Sequence, residues 1–326
     1  MGSSFLLTGA VPIGRAGRRP CFGFDEDGWT LLAAAWEASL ARAPAVELPD
    51  AVDLFGDLPD VADAGLVALG PRPPSVRRNA RDVPIEHGFD RLRSGEASAV
   101  VGFGAGAEGS GPFAFVLRAT ARGAPPELPP GPVPTAPAIG HRELAEPPAT
   151  FADVRDLLTF DGYPTTPIDA AARSRWESLP LAIVSQGAYL PRDRYLEELP
   201  TRWGLRAERC SACGATLFPA RGRCRACGAT DRLVPFPLPR QGGVVVARTR
   251  VGPGGQPTEF DPMVEATGPY GVVLVEPIPG VRVTLPTTDE GAGSLRIGDR
   301  VGTALRRLYP MEGEWRYGRK ALPLLR

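Results

Sequence analysis

Lysine is almost missing from this chain. Of 37 Lys and Arg residues only Lys320 is a lysine, so the positive charge is nearly all arginine. Asp and Glu also number 37, and a neutral chain lacks the broad basic footprint of a nucleic-acid-binding protein. Histidine is scarce too. His87 and His141 are the only two, which leaves little scope for imidazole acid–base catalysis. No apolar run approaches the roughly 20 residues that a membrane span requires. In MGSSFLLTGAVPIGRAGRRP the arginines follow the short apolar patch, the reverse of a secretion signal. The reading is a cytoplasmic protein with no membrane partner.

Glycine and proline, in contrast, are abundant. There are 39 Gly and 37 Pro in 326 residues, about twice the usual combined share of roughly 12%. That predicts short elements, many turns and at least one irregular linker. Hydrophobic content of 43% and charged content of 23% are those of a globular chain. The length allows about two domains and a small module.

Residues 22–42 contain the clearest helix. Asp25, Glu26 and Asp27 crowd its expected N-terminus, and Leu31, Leu32, Ala35, Trp36 and Leu40 follow at helical spacing. The acidic run lacks the later ligands of a calcium loop, so it reads as a cap. Residues 44–82 read as short strands and turns. Residues 84–94 read as a helix opened by Pro84 and closed by Gly95. Ala99–Phe103 and Phe113–Ala119 read as strands. Between them Gly104, Gly106 and Gly109 spell GxGxxG, but a dinucleotide site needs a helix next, and here a strand follows. A hairpin turn is the reading. The Pro-rich stretch 123–149, which contains His141, reads as a linker, and 150–205 as a segment of short helices.

The strongest signal is Cys210-Ser-Ala-Cys213 and Cys224-Arg-Ala-Cys227, two CxxC knuckles ten residues apart, each followed by a glycine (Gly214, Gly228). Four thiolates at this spacing close a tetrahedral site with no open position, so the expectation is one structural zinc. A rubredoxin-like iron site and a redox disulfide pair are the alternatives. Arg206, Arg209, Arg221, Arg223 and Arg225 around the knuckles are either a solvated face or a cradle for an anion. Residues 242–251, 270–278, 281–287, 299–309 and 314–325 read as strands bounded by Gly and Pro. Five short strands in about 90 residues point to a small barrel, with an OB-fold the leading candidate. Its scarcity of lysine and aromatics speaks against single-stranded nucleic acid as the ligand.

From Cys210 onward the sequence resembles the zinc-ribbon/OB-fold family that associates with acyl-CoA enzymes. The matching residues are the two knuckles with Phe218-Pro219 between them, Gly242-Gly243, Gly268-Pro269-Tyr270-Gly271, and Leu295 to Val301. The resemblance implies a non-catalytic partner of thiolases or hydroxymethylglutaryl-CoA synthase-like proteins that helps accommodate acyl-CoA. It makes Phe218, Pro219, Arg221, Arg223, Tyr270 and Gly271 candidates for acyl-CoA or partner contact. The N-terminal part resembles a thiolase-like domain through Asp25 to Thr30, Phe89 to Ala97 and Val100 to Gly104. In an active enzyme of that superfamily the nucleophilic cysteine would stand some fifteen to twenty residues before Gly95. Here Ser75-Val76-Arg77-Arg78-Asn79-Ala80 occupies that place, and arginine cannot carry an acyl group. No residue is therefore assigned a catalytic role.

The expected fold is an α/β thiolase-like half domain, degenerate, over 1–122, the Pro-rich linker 123–149 and the helical linker 150–205. A rubredoxin-like zinc ribbon over 206–232 and an all-β OB-fold over 233–326 complete it. The rival readings are an acyl-CoA transferase or lyase active by itself through Cys21 or His87, and a nucleic-acid-binding ribbon/OB module. Cys21 reads as a small buried hydrophobe, and His87 as a packing or capping residue.

Overall fold

A computed structural model describes residues 4–11, 25–42, 49–70, 74–104, 113–120, 138–150, 152–154, 157, 190–257, 260–288 and 294–324. The chain divides into two units, Met1–Glu177 and Ser178–Arg326. None of the described helices is long and apolar enough to cross a membrane.

The first unit is built on six strands: β1 (Ser4–Val11), β2 (Ala51–Phe55), β3 (Ser75–Arg78), β4 (Ala99–Gly104), β5 (Phe113–Thr120) and β6 (Ala138–Leu144). They lie in the order β3-β2-β4-β5-β1-β6. β2 runs parallel to β3 and β4, while β5 is antiparallel to β4 and β1, and β6 to β1. Among the described residues α1 (Gly28–Ala41), α2 (Ala62–Leu69) and α3 (Ile85–Ser94) accompany the sheet. α1 starts where the acidic run predicts. Asp27 is its N-cap, and Asp27 and Thr30 bond each other's backbone amides in a capping box.

Strand alternation splits the core into two layers. Phe113, Phe115 and Leu117 of β5 pack with Phe89 and Leu92 of α3, and with Phe5, Leu7 and Val100. The alternating Arg118 turns to the other face, where its Nε donates to Ser39 Oγ of α1 at 3.2 Å. On that helix Trp29, Leu32 and Trp36 are wholly buried. α3 approaches β2 and β4 closely because residue 88 is glycine; a Cβ there would lie 2.7 Å from the Phe55 ring of β2 and 3.1 Å from Val100 of β4. Pro84 precedes α3, and Gly95 ends it in the left-handed region at φ 81°, as the sequence predicts.

Two segments differ from the sequence reading. Residues 62–69 form α2, inside a stretch read as strands and turns. Its buried face is made mainly of Ala62, Gly65, Leu66, Ala68 and Leu69, too small and too short to show a clear helical stripe. Residues 138–144, placed in the linker 123–149, form the edge strand β6. The proline-free run after Pro137 pairs on one side only, so the proline-rich neighbourhood does not prevent a strand. The GxGxxG loop after Gly104, residues 123–137 of that linker, Cys21 and most of 150–189 lie outside the described residues. β4 and β5 flank that loop as an antiparallel pair.

The described part of the second unit opens with two short helices, α4 (Arg192–Glu197) and α5 (Leu199–Arg202). They are held by β14 (Glu314–Pro323), which in turn pairs with β13 (Arg300–Met311). Tyr195 Oη donates to the Tyr317 carbonyl at 3.0 Å, and Trp203 Nε1 donates to the same oxygen at 2.9 Å. Buried Arg316 pairs with Glu312 and Glu314 and lies over the Tyr195 ring at 4.9 Å. Part of the segment read as a helical linker is thus docked on this unit.

A three-stranded sheet follows, β7 (Arg206–Cys210), β8 (Thr216–Leu217) and β9 (Leu233–Pro237), ordered β8-β7-β9. Next come β10 (Gly243–Val251), β11 (Tyr270–Ile278) and β12 (Val281–Pro286), with α6 (Asp261–Thr267) between β10 and β11. The five strands lie in the order β12-β11-β10-β13-β14, every pair antiparallel. A parallel bridge from Thr287 to Ala321 links the two outer strands. Val245, Val273, Val275, Val283, Leu285, Val301 and Ala321 fill the interior, joined by Leu205 and Leu238 from the base of the ribbon.

Candidate metal centre

β7 delivers Cys210 at its end, and the chain then turns on itself twice in the same way. In the first knuckle the Gly214 amide donates to the Cys210 carbonyl and the Cys210 amide to the Ala215 carbonyl, at 2.8 and 2.9 Å. In the second the Gly228 amide donates to Cys224 and the Cys224 amide to Ala229, both at 2.8 Å. Gly214 and Gly228 take φ of 75° and 80°, a conformation that costs other residues about 1–2 kcal/mol. The glycine after each CxxC is therefore required by the turn.

The turns bring all four sulfurs to one point. The Sγ atoms of Cys210, Cys213, Cys224 and Cys227 lie within 4.8 Å of one another. Cys210 Sγ is 3.7 Å from Cys227 Sγ, and Cys213 Sγ 3.6 Å from Cys224 Sγ. A tetrahedron with Zn–S bonds of about 2.3 Å has edges of about 3.8 Å, so these separations fit zinc. Cys210 and Cys224 are buried, while Cys213 and Cys227 face outward.

The thiols are unevenly poised. Backbone amides of Cys227 and Ala226 donate to Cys224 and bring its thiol down to about 6. The Ala215 amide acts likewise on Cys213, but the surrounding thiols outweigh it and push that thiol up to about 12. Four crowded thiols do not all ionise unless a cation supplies the compensating charge. Around them the apolar interior is small: Leu217, with Ala215, Ala229 and Leu233 at its edge.

The other residues singled out from sequence fall into two groups. Phe218 is half-buried and packs against the apolar interior of the five-stranded sheet; it is joined to exposed Pro219 by a cis peptide bond. Arg221 and Arg223 are exposed on the following loop. Tyr270 and Gly271 instead begin β11. The Tyr270 ring stacks on Phe260 with centroids 5.5 Å apart, and a Cβ on Gly271 would lie 2.8 Å from Thr287 Oγ1. His87 is exposed on α3, and His141 Nδ1 lies 2.9 Å from Thr8 Oγ1 on β1.

Sequence reasoning missed Glu208. Its Oε2 accepts from the Arg221 and Gly222 amides at 3.2 and 3.3 Å, which fixes the loop leading into the second knuckle. It also missed the Arg209 guanidinium over the Phe236 ring at 4.1 Å. Both depend on strand pairing within the ribbon, which residue spacing alone does not reveal.

Residues 204–231 match the family described as ChsH2, rubredoxin-like zinc ribbon domain. Among solved structures the chain is similar to an Ltp2–ChsH2(DUF35) aldolase at 20% identity. That similarity covers 41% of this chain and 98% of the other, with a TM-score of 0.31. It is also similar to a DUF35-family protein of unknown function from Sulfolobus solfataricus at 18% identity. There the coverage is 30% of this chain and 66% of the other, with a TM-score of 0.22. No curated protein matches. The chain carries a rubredoxin-like zinc ribbon of the ChsH2 kind, and its four clustered cysteines hold one structural zinc.

Proposed function

We propose that this zinc-ribbon chain is a non-catalytic accessory subunit that binds a thiolase-like or hydroxymethylglutaryl-CoA synthase-like protein and helps accommodate acyl-CoA. The observation that carries the reading is the continuity of ribbon and barrel. Leu205, Leu238, Phe218 and Phe236 of the ribbon pack with the barrel interior, so the matched ribbon and the strands after it form one body.

Two further readings attach to it. The five strands, closed through the Thr287–Ala321 bridge, support an OB-fold, a five-stranded Greek-key barrel. The mixed sheet of the first unit, with α3 leading into β4, supports a thiolase-like half domain. At the place of the missing nucleophile, Ser75–Arg78 is an edge strand whose three outer positions Ser75, Arg77 and Arg78 are exposed. In this reading the ribbon and barrel border the partner's acyl-CoA tunnel. Arg221 is available there for a phosphate, because Glu208 engages its amide and not its side chain; planar guanidinium groups suit phosphate oxygens. The solved aldolase is named for Ltp2 and ChsH2(DUF35) together, and a partner of the Ltp2 kind is proposed for this chain.

The test is co-purification of the full chain, zinc retained, with a thiolase-like protein from the same source. Comigration at fixed stoichiometry, with acyl-CoA turnover dependent on both chains, is the expected result. A chain that turns over acyl-CoA alone overturns the proposal.

A further inference from the structure

Zn2+ with four thiolates is a dianion, and the backbone amides that point at the sulfurs offset part of its charge. The two knuckles differ in what else surrounds them. Between Cys210 and Thr230 the sequence contains no acidic residue, and its only cations, Arg221, Arg223 and Arg225, all sit at the second knuckle. Each is placed differently. The Arg225 Nη2 donates to the Phe218 carbonyl at 3.5 Å, and the Arg221 amide is held by Glu208. The Arg223 guanidinium reaches the turn residue that ends the knuckle. A Cβ built on Gly228, the residue after Cys227, would lie 3.8 Å from Arg223 Nη2. At the first knuckle the neighbouring cations are otherwise engaged: Arg209 rests on the Phe236 ring, and Arg232, whose carbonyl accepts from the Ser211 amide, pairs with Asp231 at 3.6 Å.

We propose that Arg223 is the fixed counter-charge of the zinc–tetrathiolate, a positioning residue that slows loss of the ion by holding a guanidinium at the second knuckle. The assignment separates it from Arg221, whose side chain is left for an external anion, and it stands whether or not the accessory-subunit reading holds. Arg223 is exposed and contributes nothing to the ribbon's apolar interior, so its replacement leaves the fold in place.

The experiment follows zinc transfer from the full, zinc-loaded chain to a chromogenic chelator at low and high ionic strength. Arg223→Gln is expected to release zinc about three- to ten-fold faster at low salt, the scale of one partly exposed charge interaction. The difference should shrink at about 1 M salt, where the Debye length is about 3 Å. Arg223→Lys should keep the parental rate, and so should Arg221→Gln. Absorption of the cobalt-substituted chains should be identical throughout. Release at the parental rate in Arg223→Gln overturns the proposal. So does Arg223→Lys releasing as fast as Arg223→Gln, or a changed cobalt spectrum, since either assigns the side chain to shape and not to charge.

Discussion

In the first unit Trp29, Trp36, Phe89 and Phe115 lie wholly buried between sheet and helices. In the ribbon a three-stranded sheet closes over Leu217 and two cysteines. Burial of a large apolar side chain contributes about 1.5–3 kcal/mol, so the first region collects its stability from many side chains. The ribbon has too few, and there the zinc–sulfur bonds must hold the chain together; structural zinc in small modules contributes on the order of 10–16 kcal/mol. One region is held by area and the other by a single ion, and each should fail to a treatment that the other survives.

Removal of zinc, by chelation or by Cys210→Ser with Cys224→Ser, should have the largest effect. Hydrogen exchange should show amide protection lost across β7–β9 and kept in β1, β4 and β5. Protection retained in β7–β9 after the metal has gone would erase the contrast. The converse change is Phe89→Ala in the first unit, expected to cost about 3–5 kcal/mol. Denaturant unfolding should register it, while metal analysis still finds about one zinc per chain.

Gly214→Ala forces a Cβ into the left-handed region at φ 75° and should cost about 1–2 kcal/mol. A competition titration for zinc would show it as roughly a tenfold weaker site; an unchanged affinity would mean that the knuckle tolerates another turn. A further contrast concerns His141. Burial, with Arg42 and Arg118 nearby, lowers its imidazole to about 4. The unfolded chain therefore binds a proton that the folded chain refuses. Stability of the first unit should be full above about pH 6.5 and fall as pH drops toward 4. His141→Asn should flatten that slope in unfolding experiments at several pH values; an unaltered slope would assign it to other groups.

The elements legible in the sequence share a local cause. α1 is marked by its cap, α3 by Pro84 and Gly95, and the barrel strands by short apolar runs between glycine and proline. The four cysteines declare their site because thiolate ligation requires those residues at that spacing. α2 escaped because its eight residues bury only two large side chains, Leu66 and Leu69, among alanine and glycine, and β6 because an edge strand can follow directly on a proline-rich stretch. Glu208 escaped for another reason. A glutamate on a strand carries no mark of the loop amides it will meet.

By itself, then, the sequence determined the zinc ligands, the left-handed glycines beside them and the helix caps, all interactions between residues close along the chain. Tertiary structure alone decided that Ala138–Leu144 joins the first sheet and that Thr287 meets Ala321. It also decided that the ribbon's base packs with the interior of the five-stranded sheet, and that Arg223 reaches the turn residue of the second knuckle. Those contacts join residues distant in sequence or depend on how a loop is held, and spacing along the chain does not encode them.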